Sequence, residues 1–352
     1  MQKTRLPRQV KIYDTTLRDG TQGEGISFSV EDKIRIARKL DAFGVDYIEG
    51  GWPGSNKKDE EFFSKAAAMK WLHAKIAAFG STRRAMNTCE NDFSIQALLH
   101  SRAPVCTIFG KTWDLHVRDA LEISNAQNLV LIRESVAYLI SKGREVIYDA
   151  EHFFDGFKSD RDYAMQTLIT AQDAGAKCLV LCDTNGGTVT SELIEIIQYV
   201  TENVESELGI HVHNDSDMAT ANTIAAIQLG CSHAQGTFNG YGERCGNANL
   251  CNILPALKFK LGADLIPNIN LKKLTGMSRY ISEEANLTHR NDFPYVGQSA
   301  FSHKGGIHVS AIRKNAATYE HIQPETVGNK QRVLISDLSG PVSYTHLRAH
   351  ET

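Results

Sequence analysis

Short apolar runs alternate with amphipathic stretches along most of the chain. The run over residues 10–19 leads into a segment where Val30, Ile34, Ala37 and Leu40 recur at helical spacing and give one apolar face. Ser29 stands at its start as an N-cap, Glu31 and Asp32 occupy the first turn, and Gly44 ends it. The same unit recurs. The pattern predicts further strands over 46–53, 75–81, 105–113, 145–156, 178–187, 209–217 and 232–244, with helices between them such as 125–142 and 161–174. Strict alternation implies a parallel sheet with right-handed crossovers. Eight units in roughly 250 residues have the size of a closed (β/α)8 TIM barrel of the α/β class, with an open doubly wound sheet as the alternative.

Beyond residue 261 the alternation ends. The expected organisation is a TIM-barrel catalytic domain over 8–262, then a small, mostly helical accessory subdomain over 263–340. The last stretch, Ser343–Thr352 (SYTHLRAHET), follows a Gly-Pro pair and has neither helical nor strand periodicity. Residues 341–352 are therefore expected to be a non-native or frame-altered tail on a shortened chain; a frayed terminus is the other reading.

Composition narrows the function classes. Hydrophobic residues make up 42% of the 352, enough for a sizeable core. The 41 acidic and 38 basic side chains nearly balance, and no basic stripe appears, which argues against nucleic acid or anionic membrane as a partner. The polar first ten residues lack the apolar segment of a signal peptide, and no run is long and apolar enough to span a membrane. Seven scattered cysteines without a C-x-x-C pair suit reduced thiols in a cytoplasmic protein better than a zinc ribbon.

Catalytic groups in such barrels sit at the C-terminal ends of the strands. Those ends carry Arg18-Asp19, Glu49, Glu151, Asp183-Thr184-Asn185, His211-x-His213-Asn214-Asp215 and Glu243-Arg244. Residues i and i+2 of a strand share a face, so Ile210 and Val212 turn to the helices and both imidazoles turn into the barrel mouth. A lone histidine would be a core residue. Two imidazoles joined by the carboxylate of Asp19 form instead a facial ligand set for a divalent metal, with open positions left for substrate. An H-x-H pair also marks amidohydrolases, but on the first strand rather than the seventh. The glycine-rich turn Gly240–Asn247 admits either a phosphate-bearing ligand or a tight structural turn, as does Gly186-Gly187. His303 and His308 fall outside the barrel and read, on their own, as solvated or structural.

Three motifs then form a recognisable set: Asp14-Thr15-Thr16-Leu17-Arg18-Asp19-Gly20, His211-Val212-His213-Asn214-Asp215 and Gly242-Glu243-Arg244-Cys245-Gly246-Asn247. Together they resemble the signatures of the 2-isopropylmalate, homocitrate and citramalate synthase family, in the family's order and over residues 8–340. The segments 23–29, 49–56 and 151–156 look most like its citramalate branch. The resemblance implies an acyltransferase that condenses acetyl-CoA with pyruvate to (R)-citramalate in isoleucine biosynthesis, acting as a homodimer.

It also implies roles for matching positions. Asp19, His211 and His213 would hold Mn²⁺, Mg²⁺ or Zn²⁺, with Asn247 as a further ligand. Arg18 would neutralise the oxygen that becomes an alkoxide, and Thr184 would bind the substrate carboxylate. Glu151 would lie at the acetyl methyl group. Glu243 and His308 would form an acid–base dyad, and Tyr319 matches a tyrosine that a partner subunit can supply. The physical requirements agree: the thioester methyl is weakly acidic and needs a positioned base, and the ketone needs an electrophile beside it. Trp52, Phe79 and Phe109 are large residues near strand ends that leave room for only a methyl group, unless they are simply core. The alternatives are 2-isopropylmalate or homocitrate synthase, differing in the pocket, and a lyase of the hydroxymethylglutaryl-CoA type. The segment carrying His308 and Tyr319 argues against the lyase. Family members usually continue into a C-terminal domain that binds the pathway's amino acid, so this chain is expected to lack feedback inhibition by isoleucine.

Overall fold

The computed structural model describes residues 6–261, 264–304 and 306–334. The proposed tail over 341–352 lies outside them. Eight parallel strands close into a barrel in chain order: β1 Lys11–Asp14, β2 Tyr47–Gly51, β3 Lys75–Ser81, β4 Val105–Lys111, β5 Glu145–Glu151, β6 Cys178–Asp183, β7 Glu207–Val212 and β8 His233–Gly236. Closure is made where β8 pairs with β1, from Lys11 against His233 to Asp14 against Gly236. The closed sheet of the sequence reading is correct and the open alternative is not.

Local signals set the helices. In α1, Val30–Phe43, Ser29 and Asp32 exchange side-chain and backbone bonds in a capping box, a device worth about 1 kcal/mol. Gly44 ends α1 at φ 102°, where a Cβ would also meet the Asn268 carbonyl oxygen at 2.1 Å. Only glycine satisfies both conditions. The helices Asn125–Ser141 and Arg161–Asp173 fall within a residue of the expected spans.

β3 matches its expected span, and the other strands are shorter than their apolar patterns suggest. β1 stops at Asp14, so Arg18 and Asp19 belong to the loop that follows and not to the strand end. His213 lies just past β7, bridged to Asn247. Loop residues at this barrel mouth, Thr15, Thr16 and Leu17 among them, are also buried, and that extends the pattern beyond the ladder.

Apolar side chains divide into two groups. A large cluster fills the layer between strands and helices, Ile210 and Val212 included. A smaller one fills the barrel, with Tyr13, Tyr47, Val105, Ile147 and Val180 among its members. His233 sits inside it, 1% exposed, with ring centroids 5.2 Å from Tyr13 and 5.5 Å from Tyr47 and its Nε2 unpartnered. Burial, assisted by Lys11, lowers its pKa from 6.5 to about 3. Between those values the unfolded chain binds a proton that the folded chain does not. This contribution is therefore complete above the unfolded value and falls with pH through that window, by on the order of 5 kcal/mol in full. Replacing His233 by Phe is expected to flatten the decline of unfolding free energy between pH 6.5 and pH 4, whatever it does at pH 8. An unchanged slope in urea titrations would remove His233 as the cause.

The segment after the barrel joins it through α1 and the turn that follows β8. Its helix Leu274–Glu284 meets α1 through the ion pair of Arg35 with Glu284, at 2.8 Å, and receives the Asn239 amide on the Ser278 carbonyl at 2.9 Å. Beyond it, β9 Ser302–His303 and β10 Arg332–Val333 form a two-stranded parallel sheet beside helix Gly306–Lys314.

Candidate active site

The three predicted metal-binding residues converge at the mouth. Asp19, His211 and His213 are all buried, each with a ligand atom within 4.8 Å of the others. His211 Nε2 lies 3.2 Å from Asp19 Oδ2 and 3.3 Å from His213 Nε2. Two ring nitrogens and a carboxylate oxygen thus face one point. Burial disfavours the Asp19 anion, but Arg18 and His211 outweigh it and hold the carboxyl well below the usual range. Burial and the neighbouring His211 lower His213 to about 4, so this ring is neutral and can ligate near pH 7. Asn247 lies beside the three: its Nδ2 donates to Asp19 Oδ2 at 2.6 Å, while its buried Oδ1 has no partner. A half-turn of that amide presents the oxygen in place of the nitrogen. The donor chemistry fits a hard or borderline divalent ion.

Behind the ligands lies a support that the sequence reading missed. His211 Nδ1 contacts Gln235 Oε1 at 2.8 Å, and Gln235 Nε2 donates to Asp149 Oδ1 at 3.1 Å. With the Gln235 oxygen accepting, the proton of a neutral His211 stays on Nδ1 and its Nε2 lone pair faces Asp19 and His213. The available signal was a polar residue at an inward strand position: Asp149 and Gln235 each stand two positions beyond a residue that fills the barrel, Ile147 and His233.

Arg18 is held on three sides. Its Nε donates to buried Glu49 at 2.7 Å, its Nη1 lies 3.5 Å from Asp19, and its guanidinium carbon sits 3.7 Å above the Phe79 ring. Glu49 is fixed from below by the Tyr13 hydroxyl at 2.8 Å. Phe79 stacks on Phe109 at 5.5 Å, and Trp52 meets both edge-on at 5.6 and 5.7 Å. These aromatics form one wall beside Arg18.

The remaining candidates are placed as follows. Glu151 ends β5 and is ion-paired with Lys111, its register partner at the end of β4. Lys111 too was missed, because strand register is not written in the sequence. Thr184 follows β6, and its Oγ1 accepts the His152 amide at 2.9 Å. Asp183 accepts two bonds from Thr188 and tightens its loop. Glu243 faces solvent with Arg244 at 3.5 Å, while Arg244 spans to Asp215 at 2.7 Å and to the Thr184 carbonyl. The glycines of this turn serve close packing: a Cβ on Gly246 would meet the Gly240 carbonyl oxygen at 2.0 Å. His308 is not joined to Glu243 by any hydrogen bond or ion pair among the described residues. It stacks instead on Tyr319, centroids 4.1 Å apart, both side chains being exposed. His303 faces Glu320 at 3.4 Å, largely buried.

The HMGL-like family pattern matches residues 9–281, and the homocitrate synthase post-HMGL domain-like pattern matches residues 295–349. The chain belongs to the HMGL-like family. Among curated relatives of this HMGL-like chain, the (R)-citramalate synthase of Geobacter sulfurreducens is 59% identical, covering 94% of this chain and 63% of that protein. The (R)-citramalate synthase of Aquifex aeolicus is 54% identical, over 97% and 65% respectively. A 2-isopropylmalate synthase of Sulfurisphaera tokodaii is 35% identical over 95% of this chain and 83% of that protein. This HMGL-like chain thus spans less than two thirds of the length of the citramalate synthases it matches. In fold it is similar to the HMG-CoA lyase of Bacillus subtilis, with a TM-score of 0.69 at 19% identity, covering 81% of this chain and 96% of that one.

Proposed function

We propose that this chain carries the condensation of acetyl-CoA with pyruvate to (R)-citramalate, with hydrolysis of the thioester, as the entry to isoleucine synthesis. The observation that carries the reading is the convergence of the Asp19–His211–His213 donor set with an Arg18 guanidinium stacked on a closed aromatic wall. That wall favours a methyl group over the longer substituents of 2-oxoisovalerate. The relatives support the same choice, since proteins named (R)-citramalate synthase match at 47–59% identity and the 2-isopropylmalate synthases at 35%.

In this reading Asp19, His211, His213 and Asn247 hold a divalent ion, Mn²⁺, Mg²⁺ or Zn²⁺. When bound, such an ion supplies Lewis-acid polarisation of the ketone. Arg18 is fixed by Glu49 and Phe79, so its charge meets the ketone oxygen as that oxygen gains negative charge, without reorganising. Thr184 binds the pyruvate carboxylate. Glu151, anchored by Lys111, sits at the acetyl methyl group and orients it, and the Glu243–His308 pair takes its proton. The methyl carbon then bonds to the ketone carbon, the new alkoxide takes up a proton, and water cleaves the thioester to release CoA. Glu243 and His308 provide the acid–base groups over the mouth. The exposed His308–Tyr319 stack acts as a unit in a homodimer, where it closes over a partner's barrel.

The direct test is CoA release from acetyl-CoA by metal-replete protein. Release is expected with pyruvate, to be lost after thorough chelation and to return with Mn²⁺. Faster release with 2-oxoisovalerate, or chelator-insensitive release, would overturn the reading.

A further inference from the structure

Trp52 stands next to empty space. Its indole meets Phe79 and Phe109. It also borders an open cavity of about 400 Å³ whose lining includes Arg18, Gln22, Phe28, Lys33 and Asp59. That space is many times the ~30 Å³ a water molecule occupies in the liquid, so the indole has room to turn into it. Edge-on contacts between aromatic rings contribute only about 1 kcal/mol each. Something firmer must hold the ring.

The backbone supplies it. The Trp52 amide donates to Asp59 Oδ2 at 2.9 Å, and the Asn56 side-chain amide donates to the same oxygen at 3.2 Å. Asp59 Oδ1 is ion-paired with Lys33, whose ammonium also donates to the Gly50 carbonyl at 3.1 Å. Lys33 and Asp59 are 3% and 6% exposed, so this is a buried pair reaching from α1 to the helix α2, Lys57–Ala67. The strand has been shaped to receive it. The register of β2 shifts between Glu49 and Gly51, and Gly51 adopts φ 147° with a position where any Cβ would strike the Asp59 carboxylate at 2.4 Å.

We propose that the Lys33–Asp59 pair is the latch that sets acceptor selectivity, holding the Trp52 backbone so that the indole closes the pocket rather than turning into the adjoining cavity. Asp59 and Lys33 are positioning residues; neither touches the reacting atoms. A buried charge pair is a costly way to gain stability, but its two fixed ends make it an effective way to specify one loop geometry. The inference rests on the reading of the Trp52–Phe79–Phe109 wall as the side of the 2-oxo acid pocket.

The test compares kcat/KM for pyruvate with that for 2-oxobutyrate, which is one methylene longer. One methylene is worth about 10-fold or more in a closed apolar pocket. Asp59→Asn keeps the shape and removes the charge; it is expected to lower the pyruvate preference by about that factor, chiefly through a higher KM for pyruvate. Asn56→Ala removes a partner of the carboxylate without stranding a buried charge and is expected to shift the ratio in the same direction by a smaller factor. Lys33→Arg is expected to keep it near the parent value. A merely structural pair would lower both substrates equally, so an unchanged ratio in Asn56→Ala and in any foldable Asp59→Asn overturns the latch. Trp52→Ala separates the two levels of argument. If it alone moves the ratio, the pocket stands and the latch is wrong; if it too leaves the ratio unchanged, the pocket reading fails first.

Discussion

His213→Ala is expected to bind Mn²⁺ more than about 100-fold more weakly than the parent chain and to release no measurable CoA from acetyl-CoA and pyruvate. Partners that merely orient a ligating histidine are worth about 10–100-fold in metal affinity, and a ligand itself is worth more. His213 is one of three side chains that can hold the ion, and its Nε2 lies 3.3 Å from that of His211. The fold should survive. His213 stands beyond the end of β7, outside the apolar clusters, and its Nδ1 has no protein partner to strand. Titration of the apoprotein with Mn²⁺, read by the paramagnetic signal of the free ion, separates loss of metal from loss of structure, which circular dichroism reports. An unaltered Mn²⁺ affinity would remove His213 from the metal centre.

Arg18→Lys carries the second large effect. The substitution keeps one positive charge, yet turnover with pyruvate is expected to fall by about 10²–10³, as when one preorganised donor to a developing oxyanion is removed. An ammonium cannot reproduce the planar fork that joins Glu49 at 2.7 Å while lying flat at 3.7 Å on Phe79. Mn²⁺ affinity should change little, because Arg18 is not a ligand. That contrast distinguishes the variant from His213→Ala. A variant retaining more than a tenth of the parent turnover would show that Arg18 only neutralises Glu49.

Much of this is legible in the sequence. Helix α1 was bounded by Ser29 and Gly44 because capping is local chemistry, complete within four residues. The His211–His213 pair was legible because a strand's period of two puts both rings on one face. Asp19 was paired with them correctly although its element was not, since the apolar pattern of β1 runs on into a buried loop. What escaped depends on pairing between distant strands. Lys111 meets Glu151 only because β4 and β5 lie in that register. Gln235 meets His211 across β7 and β8, and Asp59 meets Lys33 across two helices; neither contact leaves a periodic trace. His308 shows the converse. Its role came from resemblance alone, and the chain by itself stacks it on Tyr319 rather than bringing it to Glu243.

In the proposed function, a methyl-sized pocket beside a metal centre selects pyruvate for condensation with acetyl-CoA. The most direct measurement is a competition: metal-replete protein, acetyl-CoA, and equimolar pyruvate, 2-oxobutyrate and 2-oxoisovalerate in one vessel, with products separated by chiral chromatography and mass. The partition reads the ratio of kcat/KM values without any separate kinetics. (R)-Citramalate is expected as the dominant product; a dominant 2-isopropylmalate, or no condensation product at all, would rule out that pocket as the source of selectivity.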